Sequence, residues 1–204
     1  MANGSRVSVA ILAKAPIPGL TKTRLISSIG AHAAAVLQER LTERAVTTAL
    51  AAAVGPVKLW CAPDPSHASF RELAMRHKIM LKRQPDSDLG QRMLAAMDGP
   101  TLVIGSDCPA LTSEHLHAAA IALRDGANVV LIPAEDGGYV LIGARAAHPE
   151  LFNGVTWGTE TVLAETKARI AALNLACVEL PTLWDVDIEA DLARLEREYP
   201  ELSL

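Results

Sequence analysis

Three cations stand close together near the start of the chain. Lys14, Lys22 and Arg24 lie within eleven residues, in a stretch that also contains prolines and a glycine. Proline stiffens such a turn, and glycine lets backbone amides face a ligand. Ammonium and guanidinium groups in that setting suit phosphate oxygens, with a solvated basic turn as the alternative. The predicted phosphate-binding loop contains Lys14, Pro18, Gly19, Lys22, Thr23 and Arg24.

Acidic residues occupy two other loops. Asp107 comes after an apolar run, behind Gly105 and Ser106, and Asp187 stands directly before the last helical segment. Carboxylates in such places suit a hard divalent cation. The alternatives are a hydrogen bond from Asp107 to its own turn and a helix cap at Asp187. Together with the basic loop, the acids describe a metal-bridged di- or triphosphate site, to which Gly105 and Ser106 would contribute phosphate contacts.

Three further segments are candidates for binding a second substrate. The glycines after Asp136 fit a tight hairpin turn, or they allow the backbone to approach a substrate with Asp136 as acceptor or base. Asp88 is expected to cap a helix, Arg92 to face solvent or ligand, and Trp157 to pack inside or against a substrate. The predicted acceptor site contains Asp88, Arg92, Asp136, Gly137, Gly138 and Trp157.

Short apolar runs that alternate with helical segments must position these loops. The predicted strands are Val7–Leu12, Val57–Cys61, Ile79–Leu81, Thr101–Ile104, Asn128–Ile132, Tyr139–Ile142 and Ala176–Leu180. Strands that are apolar on both faces, separated by helices, predict a three-layer α/β/α arrangement with a mainly parallel sheet. We expect one domain over residues 1–204. Ligands of such sheets bind beyond the carboxyl ends of the strands, so the polar loops are expected to meet there.

Composition limits the classes of function. The 204 residues are 50% hydrophobic, 21% charged and 3% aromatic, with a formal net charge of -4. These values fit a globular protein and give no basic field for nucleic acid or an anionic membrane. No apolar run is long enough to span a bilayer, and Met1–Arg6 does not resemble a signal peptide. The cysteines, which are Cys61, Cys108 and Cys177, are expected to be reduced and mostly buried in a cytoplasmic protein.

A set of ordered motifs resembles a known family. The stretches AKAPIPGLTKTRL, DLGQRM, GSDCPALT, EDGGYVLIG, FNGVTWGTETVL and LWDVDIEADL run in sequence from about Val7 to Leu195. They resemble the radical-SAM/selenodomain-associated transferase family, bacterial proteins generally labelled as glycosyltransferases. The resemblance implies a nucleotide-diphospho-sugar transferase fold of the GT-A type that uses a divalent metal, Mg²⁺ or Mn²⁺.

A looser similarity bears on the metal ligands. The stretch Val186–Leu192 is similar to the Val-Asp-Thr-Pro-Glu-Asp-Leu segment of sugar-acid cytidylyltransferases, whose first Asp is a metal ligand paired with an Asp after a central strand. Carried over, that similarity implies Asp107 and Asp187 as ligands. The chain has Ile188, Glu189 and Ala190 where the pattern has Thr, Pro and Glu, so Asp185 stays an alternative ligand.

Three functions follow from these observations. The first is glycosyl transfer from a nucleotide sugar to a small acceptor. The second is nucleotidyl transfer from a nucleoside triphosphate with release of pyrophosphate, and the third is a non-catalytic nucleotide-binding module. Both transferase reactions depend on electrostatic stabilisation of phosphate charge. The side chains expected to take part in the reaction are Lys22, Arg24, Asp107 and Asp136.

Overall fold

A seven-stranded sheet forms the centre of the computed structural model, which describes residues 6–204. The expectation about a signal peptide therefore concerns residues that mostly lie outside the described part. The strands are β1 (Ser8–Lys14), β2 (Val57–Ala62), β3 (Met80–Arg83), β4 (Thr101–Gly105), β5 (Val129–Pro133), β6 (Tyr139–Ala144) and β7 (Cys177–Glu179). Their order in the sheet is β3-β2-β1-β4-β6-β5-β7.

The sheet is mainly parallel, as the alternation of strands and helices predicts. The pairs β1–β2, β1–β4, β2–β3 and β5–β7 are parallel, and β6 is antiparallel to both β4 and β5. The exception follows from the glycine-containing turn between β5 and β6, which is too short for a parallel crossover. The carboxyl ends of the six other described strands therefore share one edge of the sheet.

Helices cover both faces of the sheet and complete the expected three layers. The helices are α1 (Ile26–Ile29), α2 (Ala31–Ala52), α3 (Ala68–His77), α4 (Leu89–Ala96), α5 (Ser113–Arg124), α6 (Val162–Ala172) and α7 (Glu189–Glu198). Apolar residues of α2, α3 and α5 join one buried cluster with the sheet, whereas residues of α4 and α6 join a second cluster on the opposite face. This mixed α/β architecture agrees with the predicted fold class.

A third buried cluster brings the two ends of the chain together. Leu25, Leu37 and Leu41 pack with Trp184 and Leu195 in this cluster. The three leucines are at most 1% exposed, and burying each such side chain contributes about 2 kcal/mol. This packing places the acidic stretch before α7 beside the basic loop that follows β1.

Several local expectations need correction. Strand β1 extends to Lys14, so the loop begins two residues later than the sequence suggests, and a 3-10 turn (Thr23–Leu25) with α1 replaces the predicted loop conformation. Cys61 is buried and Cys108 half-buried, but Cys177 is exposed because β7 lies at an edge of the sheet. None of the helices within residues 6–204 is long and apolar enough to cross a bilayer.

Candidate functional site

Lys22 turns inward from the basic loop. Its backbone adopts the left-handed conformation, with φ 47°, and its side chain is only 4% exposed. The Lys22 Nζ atom lies 2.7 Å from Asp107 Oδ1 and donates a hydrogen bond to the backbone carbonyl of Val186. A left-handed conformation is unfavourable for a residue with a Cβ atom. Lys22 adopts this conformation where its own loop meets the segments of Asp107 and Val186, which are remote in sequence.

A second ion pair lies beside the first and is more exposed. The Arg24 guanidinium pairs with the carboxylate of Asp187, and the two side chains are 65% and 45% exposed. The backbone N–H groups of Asp187 and Ile188 donate to Asp191 Oδ2, each at 2.8 Å. Asp191 therefore caps the start of α7, and the alternative that Asp187 caps this helix is wrong.

Asp185 faces the other acids of this region. Burial raises the pKa of its carboxyl group to about 7, and the negative charges of Asp136, Asp107 and Asp187 act in the same direction, whereas Lys22 opposes them. A buried carboxyl among like charges resists ionisation. The charges of Asp107 and Asp136 thus act on the carboxyl group of Asp185. This interaction favours Asp185 as a metal ligand, which the sequence leaves as an alternative to Asp187.

Backbone hydrogen bonds fix the segment that carries Asp185. Leu183 donates to the carbonyl of Pro133 and accepts from the N–H of Glu135, both at 3.0 Å. Three residues further on, Val186 donates to the carbonyl of Asp107 at 2.9 Å. The segment therefore connects the turn after β5 with the loop after β4.

The donor set at this edge is entirely oxygen. Within residues 6–204, no group of three His, Cys, Asp or Glu side chains is already arranged around a cation position. The carboxylates of Asp107 and Asp185 nevertheless fit Mg²⁺ or Mn²⁺ in type, because hard cations prefer oxygen ligands. The raised pKa of Asp185 indicates negative charge that a cation would offset.

The remaining residues of the predicted phosphate site divide into two groups. Lys14, Pro18, Gly19 and Thr23 are exposed at the end of β1 and in the loop after it, and Gly105 is exposed after β4. Ser106 is only 4% exposed, and its hydroxyl accepts a hydrogen bond from Gln38 at 2.9 Å. The exposed residues are accessible to a ligand, whereas the Ser106 hydroxyl is buried and hydrogen-bonded inside the protein.

Cys108 next to Asp107 is not a nucleophile. Burial raises the pKa of its thiol to about 12, because it outweighs the lowering by the Leu111 backbone N–H, and the smaller effect of the Asp185 charge also raises the pKa. A cysteine reacts through its thiolate. At neutral pH the Cys108 side chain is therefore a protonated, unreactive thiol.

The predicted acceptor residues lie in the segment after β3, in the turn after β5 and in the segment that contains Trp157. Asp88 caps α4 by accepting from the Gln91 N–H at 2.9 Å, as expected, and Arg92 Nε donates to the Ser87 carbonyl at 2.8 Å. Asp136 Oδ1 accepts from the Gly138 N–H at 2.9 Å, which confirms the hairpin-turn interpretation of that stretch. A second carboxylate oxygen of Asp136 remains for other contacts.

Two glycines let the segment 152–161 approach these groups. A Cβ atom on Gly90 would lie 2.7 Å from the Trp157 ring, and one on Gly137 would lie 2.2 Å from the Glu160 carbonyl oxygen. Trp157 also packs against Phe152, with ring centroids 6.4 Å apart. The packing alternative for Trp157 is thus confirmed, although its ring remains partly exposed.

The site divides into two sides, whose names are kept below. The basic side contains residues 14–24, 105–107 and 185–187. The hairpin side contains residues 88–92, 136–138 and 152–161. The structure brings the cations and acids of the basic side together, and the influence of Asp136 on Asp185 shows that the two sides adjoin.

Gln38 is a polar residue at this edge that the sequence analysis does not single out. It lies in α2, is 3% exposed, and its amide contacts Thr21, Thr42 and Ser106. A signal was present in the sequence, because Gln38 follows Leu37 within an apolar stripe of the helix. A polar residue in such a stripe indicates a buried hydrogen-bonded contact.

Solved structures define the class of fold. A protein of Desulfovibrio desulfuricans, described as a "putative nucleotide-diphospho-sugar transferase", has 27% sequence identity and a TM-score of 0.83, over 96% of this chain and 89% of that one. Glucosyl-3-phosphoglycerate synthase of Mycobacterium tuberculosis, solved with Mn²⁺ and UDP, has 13% identity and a TM-score of 0.58, over 98% and 78% of the two chains. The chain has the nucleotide-diphospho-sugar transferase fold of the GT-A type.

A synthase of a diphosphocytidyl compound shares the same fold. The 4-diphosphocytidyl-2C-methyl-D-erythritol synthase of Anaerococcus prevotii has 12% identity and a TM-score of 0.64, over 96% of each chain. No functionally curated protein matches the sequence.

The family is shown by sequence. A family model described as "Uncharacterized protein conserved in bacteria (DUF2064)" matches residues 45–159, which is more than half of the chain. The chain belongs to the DUF2064 family. These matches support the fold that the family resemblance implies, but they do not extend to an association with radical-SAM or selenodomain proteins.

Proposed function

We propose that this chain is a divalent-metal-dependent transferase that binds a nucleotide-diphosphate donor and transfers its glycosyl group to a small acceptor. The observation that carries the proposal is the buried contact of Lys22 with Asp107, with the Arg24–Asp187 pair beside it. The contact lies where ligands bind in α/β sheets, beyond the carboxyl ends of β1 and β4. The shared fold supports the donor class.

The cations of the basic side would bind the donor phosphates. Lys22 and Arg24 are each paired with an acid, and Lys14 is exposed at the end of β1. A nucleotide with a bound divalent cation carries negative phosphates and a positive metal. The protein cations can therefore pair with phosphate oxygens while the acids pair with the metal. This exchange of partners keeps every charge compensated, which matters most for the buried Lys22.

The metal would be held by Asp107 together with Asp185, with Asp187 as the other possible ligand. Asp185 is favoured because its carboxyl group lies among like charges, whereas Asp187 already has Arg24 as its partner. A bound Mg²⁺ or Mn²⁺ supplies charge neutralisation for a leaving nucleoside diphosphate.

The hairpin side would bind the acceptor. Asp136 is exposed and adjoins Asp185, so its carboxylate can accept the proton of an attacking hydroxyl group as a general base. Asp88, Arg92 and Trp157 would form the outer part of this subsite, beside the backbone of Gly137 and Gly138. The partly exposed Trp157 ring offers an apolar surface to a sugar or other small acceptor.

Nucleotidyl transfer is the second candidate function. The stretch from Val186 to Leu192 retains both aspartates of the cytidylyltransferase pattern, and Asp191 organises the start of α7 through two backbone hydrogen bonds. In this reaction an acceptor oxygen attacks the α-phosphorus of a nucleoside triphosphate, and pyrophosphate leaves. The same cations and acids would serve it.

A ligand panel on the full chain tests the proposal. Melting temperatures are measured with nucleoside triphosphates and with nucleotide sugars, each with and without Mn²⁺. A ligand at 100 times its Kd stabilises a protein by about 2.7 kcal/mol, roughly 5 to 10 °C for a chain of this size. We expect a Mn²⁺-dependent shift with nucleotide sugars.

Product analysis then separates the candidates. Release of a nucleoside diphosphate from a nucleotide sugar indicates glycosyl transfer, and release of pyrophosphate from a triphosphate indicates nucleotidyl transfer. Metal-independent binding without turnover indicates a non-catalytic module and contradicts the proposal. No shift with either class of nucleotide, with or without Mn²⁺, also contradicts it.

A further inference from the structure

Four buried polar side chains form a hydrogen-bonded group beneath the basic side, named the Gln38 group. It consists of Thr21, Gln38, Thr42 and Ser106, none more than 4% exposed. The Gln38 Nε2 atom donates to Ser106 Oγ at 2.9 Å and to Thr42 Oγ1 at 3.2 Å, and Gln38 Oε1 accepts from Thr21 Oγ1 at 3.2 Å. Both protons and one lone pair of the amide are thus used.

Packing of α2 does not by itself call for an amide at this position. Gln38 shares the buried stripe of α2 with Ala34, Leu37 and Leu41, which are all apolar. A buried amide costs free energy unless its hydrogen bonds are satisfied, and an apolar side chain of similar size would fill the same space. The amide differs from an apolar side chain because it forms hydrogen bonds to two separate segments of the chain.

Those segments carry the buried ion pair. Thr21 directly precedes Lys22 in the chain, and Ser106 directly precedes Asp107. Gln38 therefore bonds to the neighbour of each charged residue, from a helix that belongs to neither segment. Lys22 also has the left-handed backbone conformation, which surrounding contacts must maintain.

We propose that Gln38 is a positioning residue that sets Lys22 against Asp107. The Thr21 bond holds the loop just before the left-handed residue, and the Ser106 bond fixes the start of the loop that carries Asp107. Without the amide, the backbone at Thr21 is released and the Lys22 ammonium loses its fixed place. The consequence for donor binding rests on the proposed function, whereas the placement of Lys22 does not.

Lysine acylation measures that placement directly. The full-length chain is treated with an N-hydroxysuccinimide ester of acetic acid, and modification at each lysine is followed by mass spectrometry. In the natural chain Lys22 is buried and paired, so it is expected to react far more slowly than the exposed Lys14, Lys78 and Lys82. Gln38→Met keeps the side-chain length and removes the hydrogen bonds, and we expect the Lys22 rate to rise at least fivefold.

A matched variant controls for the loss of a buried polar contact. Thr101 is fully buried at the opposite end of β4, where its hydroxyl donates to the Gly99 carbonyl at 3.0 Å. Thr101→Val is expected to leave Lys22 as protected as in the natural chain, even if the melting temperature falls. An equal rise in both variants would show general loosening and overturn the proposal.

Further outcomes are equally decisive. If Gln38→Met folds and Lys22 stays protected, Gln38 does not position Lys22 and the proposal fails. If Gln38→Met does not fold, Thr21→Val removes one bond of the Gln38 group, and unchanged protection of Lys22 in that variant overturns the proposal.

Nucleotide affinity separates this inference from the proposed function. With the nucleotide that stabilises the natural chain in the presence of Mn²⁺, Gln38→Met should bind at least tenfold more weakly, and Thr101→Val should bind as the natural chain does. If the natural chain binds no nucleotide, the proposed function fails, yet Lys22 acylation still decides whether Gln38 acts as proposed.

Discussion

The two sides of the site are held in place by different means. On the basic side, charged groups from remote segments are fixed by side chains: Lys22 by Asp107, Arg24 by Asp187, and the loops beneath by Gln38. On the hairpin side, segments are fixed by backbone contacts that require glycine, such as Gly137 against Glu160. The polar side chains of that side remain largely at the surface.

This difference indicates which substitutions should affect ligand binding and which should affect folding. Exposed ion pairs such as Arg24–Asp187 contribute little to stability, so changes in that pair should alter ligand binding more than folding. A side chain added at a crowded glycine must displace backbone, so changes there should alter folding first. Four substitutions test this contrast.

Asp107→Ala should have the largest effect on binding. It removes the partner of Lys22 and a proposed metal ligand, and loss of one preorganised group of this kind lowers catalysis by about 100-fold or more. Titration with Mn²⁺ and nucleotide should show the loss of metal-dependent affinity. Asp98→Ala is the matched control, because Asp98 pairs with Lys58 just before β4 begins, at the other edge of the sheet. Full activity of Asp107→Ala would remove Asp107 from the metal site.

Gly137→Ala should have the largest effect on folding. Its φ is +89°, and the new Cβ atom would lie 2.2 Å from the Glu160 carbonyl oxygen, so we expect a loss of about 3 kcal/mol in the free energy of unfolding. Gly158→Ala has a similar φ of +80° with nothing within 4 Å, and should lose only about 1 kcal/mol. Urea unfolding measures both values. Equal losses would show that the contact with Glu160 contributes nothing.

Arg24→Ala should weaken donor binding without unfolding the chain. Loss of a charged contact to phosphate costs about 2 kcal/mol, or tens-fold in affinity. The exposed pair with Asp187 contributes no more than about 1 kcal/mol to stability. Arg76→Ala, which breaks an exposed pair with Glu43, should share the small change in stability and leave affinity intact. Unchanged donor affinity and rate would place Arg24 outside the site.

On stability in the absence of metal, Asp185→Asn should have the smallest effect, and that effect should be confined to one pH range. Because the pKa of Asp185 is raised from its ordinary value near 4 to about 7, the folded chain binds more protons than the unfolded chain between those values, and stability falls as pH rises through that range. The variant should match the natural chain near pH 4 and exceed it by about 1 to 2 kcal/mol near pH 8, discounted for partial exposure. Melting curves with a chelator measure the difference. An equal difference at both pH values would contradict this origin.

Much of the fold was predictable because its signals are local. Apolar runs such as Thr101–Ile104 and Tyr139–Ile142 mark elements that the structure contains with small shifts in their bounds. The short helical turns from Thr23 to Ile29 were missed, because they are too short to show a helical period. Their packing depends on Leu25, which meets partners from the opposite end of the chain.

The grouping of the charged residues was predictable from the sequence, but their pairing was not. The rule for α/β sheets placed Lys22 and Asp107 at one edge, and it cannot tell which charge meets which. The Lys22 ammonium is buried at a left-handed residue that follows the Thr21–Gln38 hydrogen bond, and neither feature is visible in residue type and spacing alone. Residue type and spacing also leave the choice between Asp185 and Asp187 open, because burial determines the electrostatics of Asp185.

The antiparallel course of β6 has a consequence for movement. Only five residues separate β5 from β6, and the Ala134 N–H closes this turn on the Gly138 carbonyl at 3.0 Å. A turn anchored at both ends in central strands cannot swing aside as a lid. For an acceptor that binds beside Asp136 as proposed, we expect any movement in the segment 152–161 rather than in this turn, and amide hydrogen exchange in that segment should slow once the acceptor is bound.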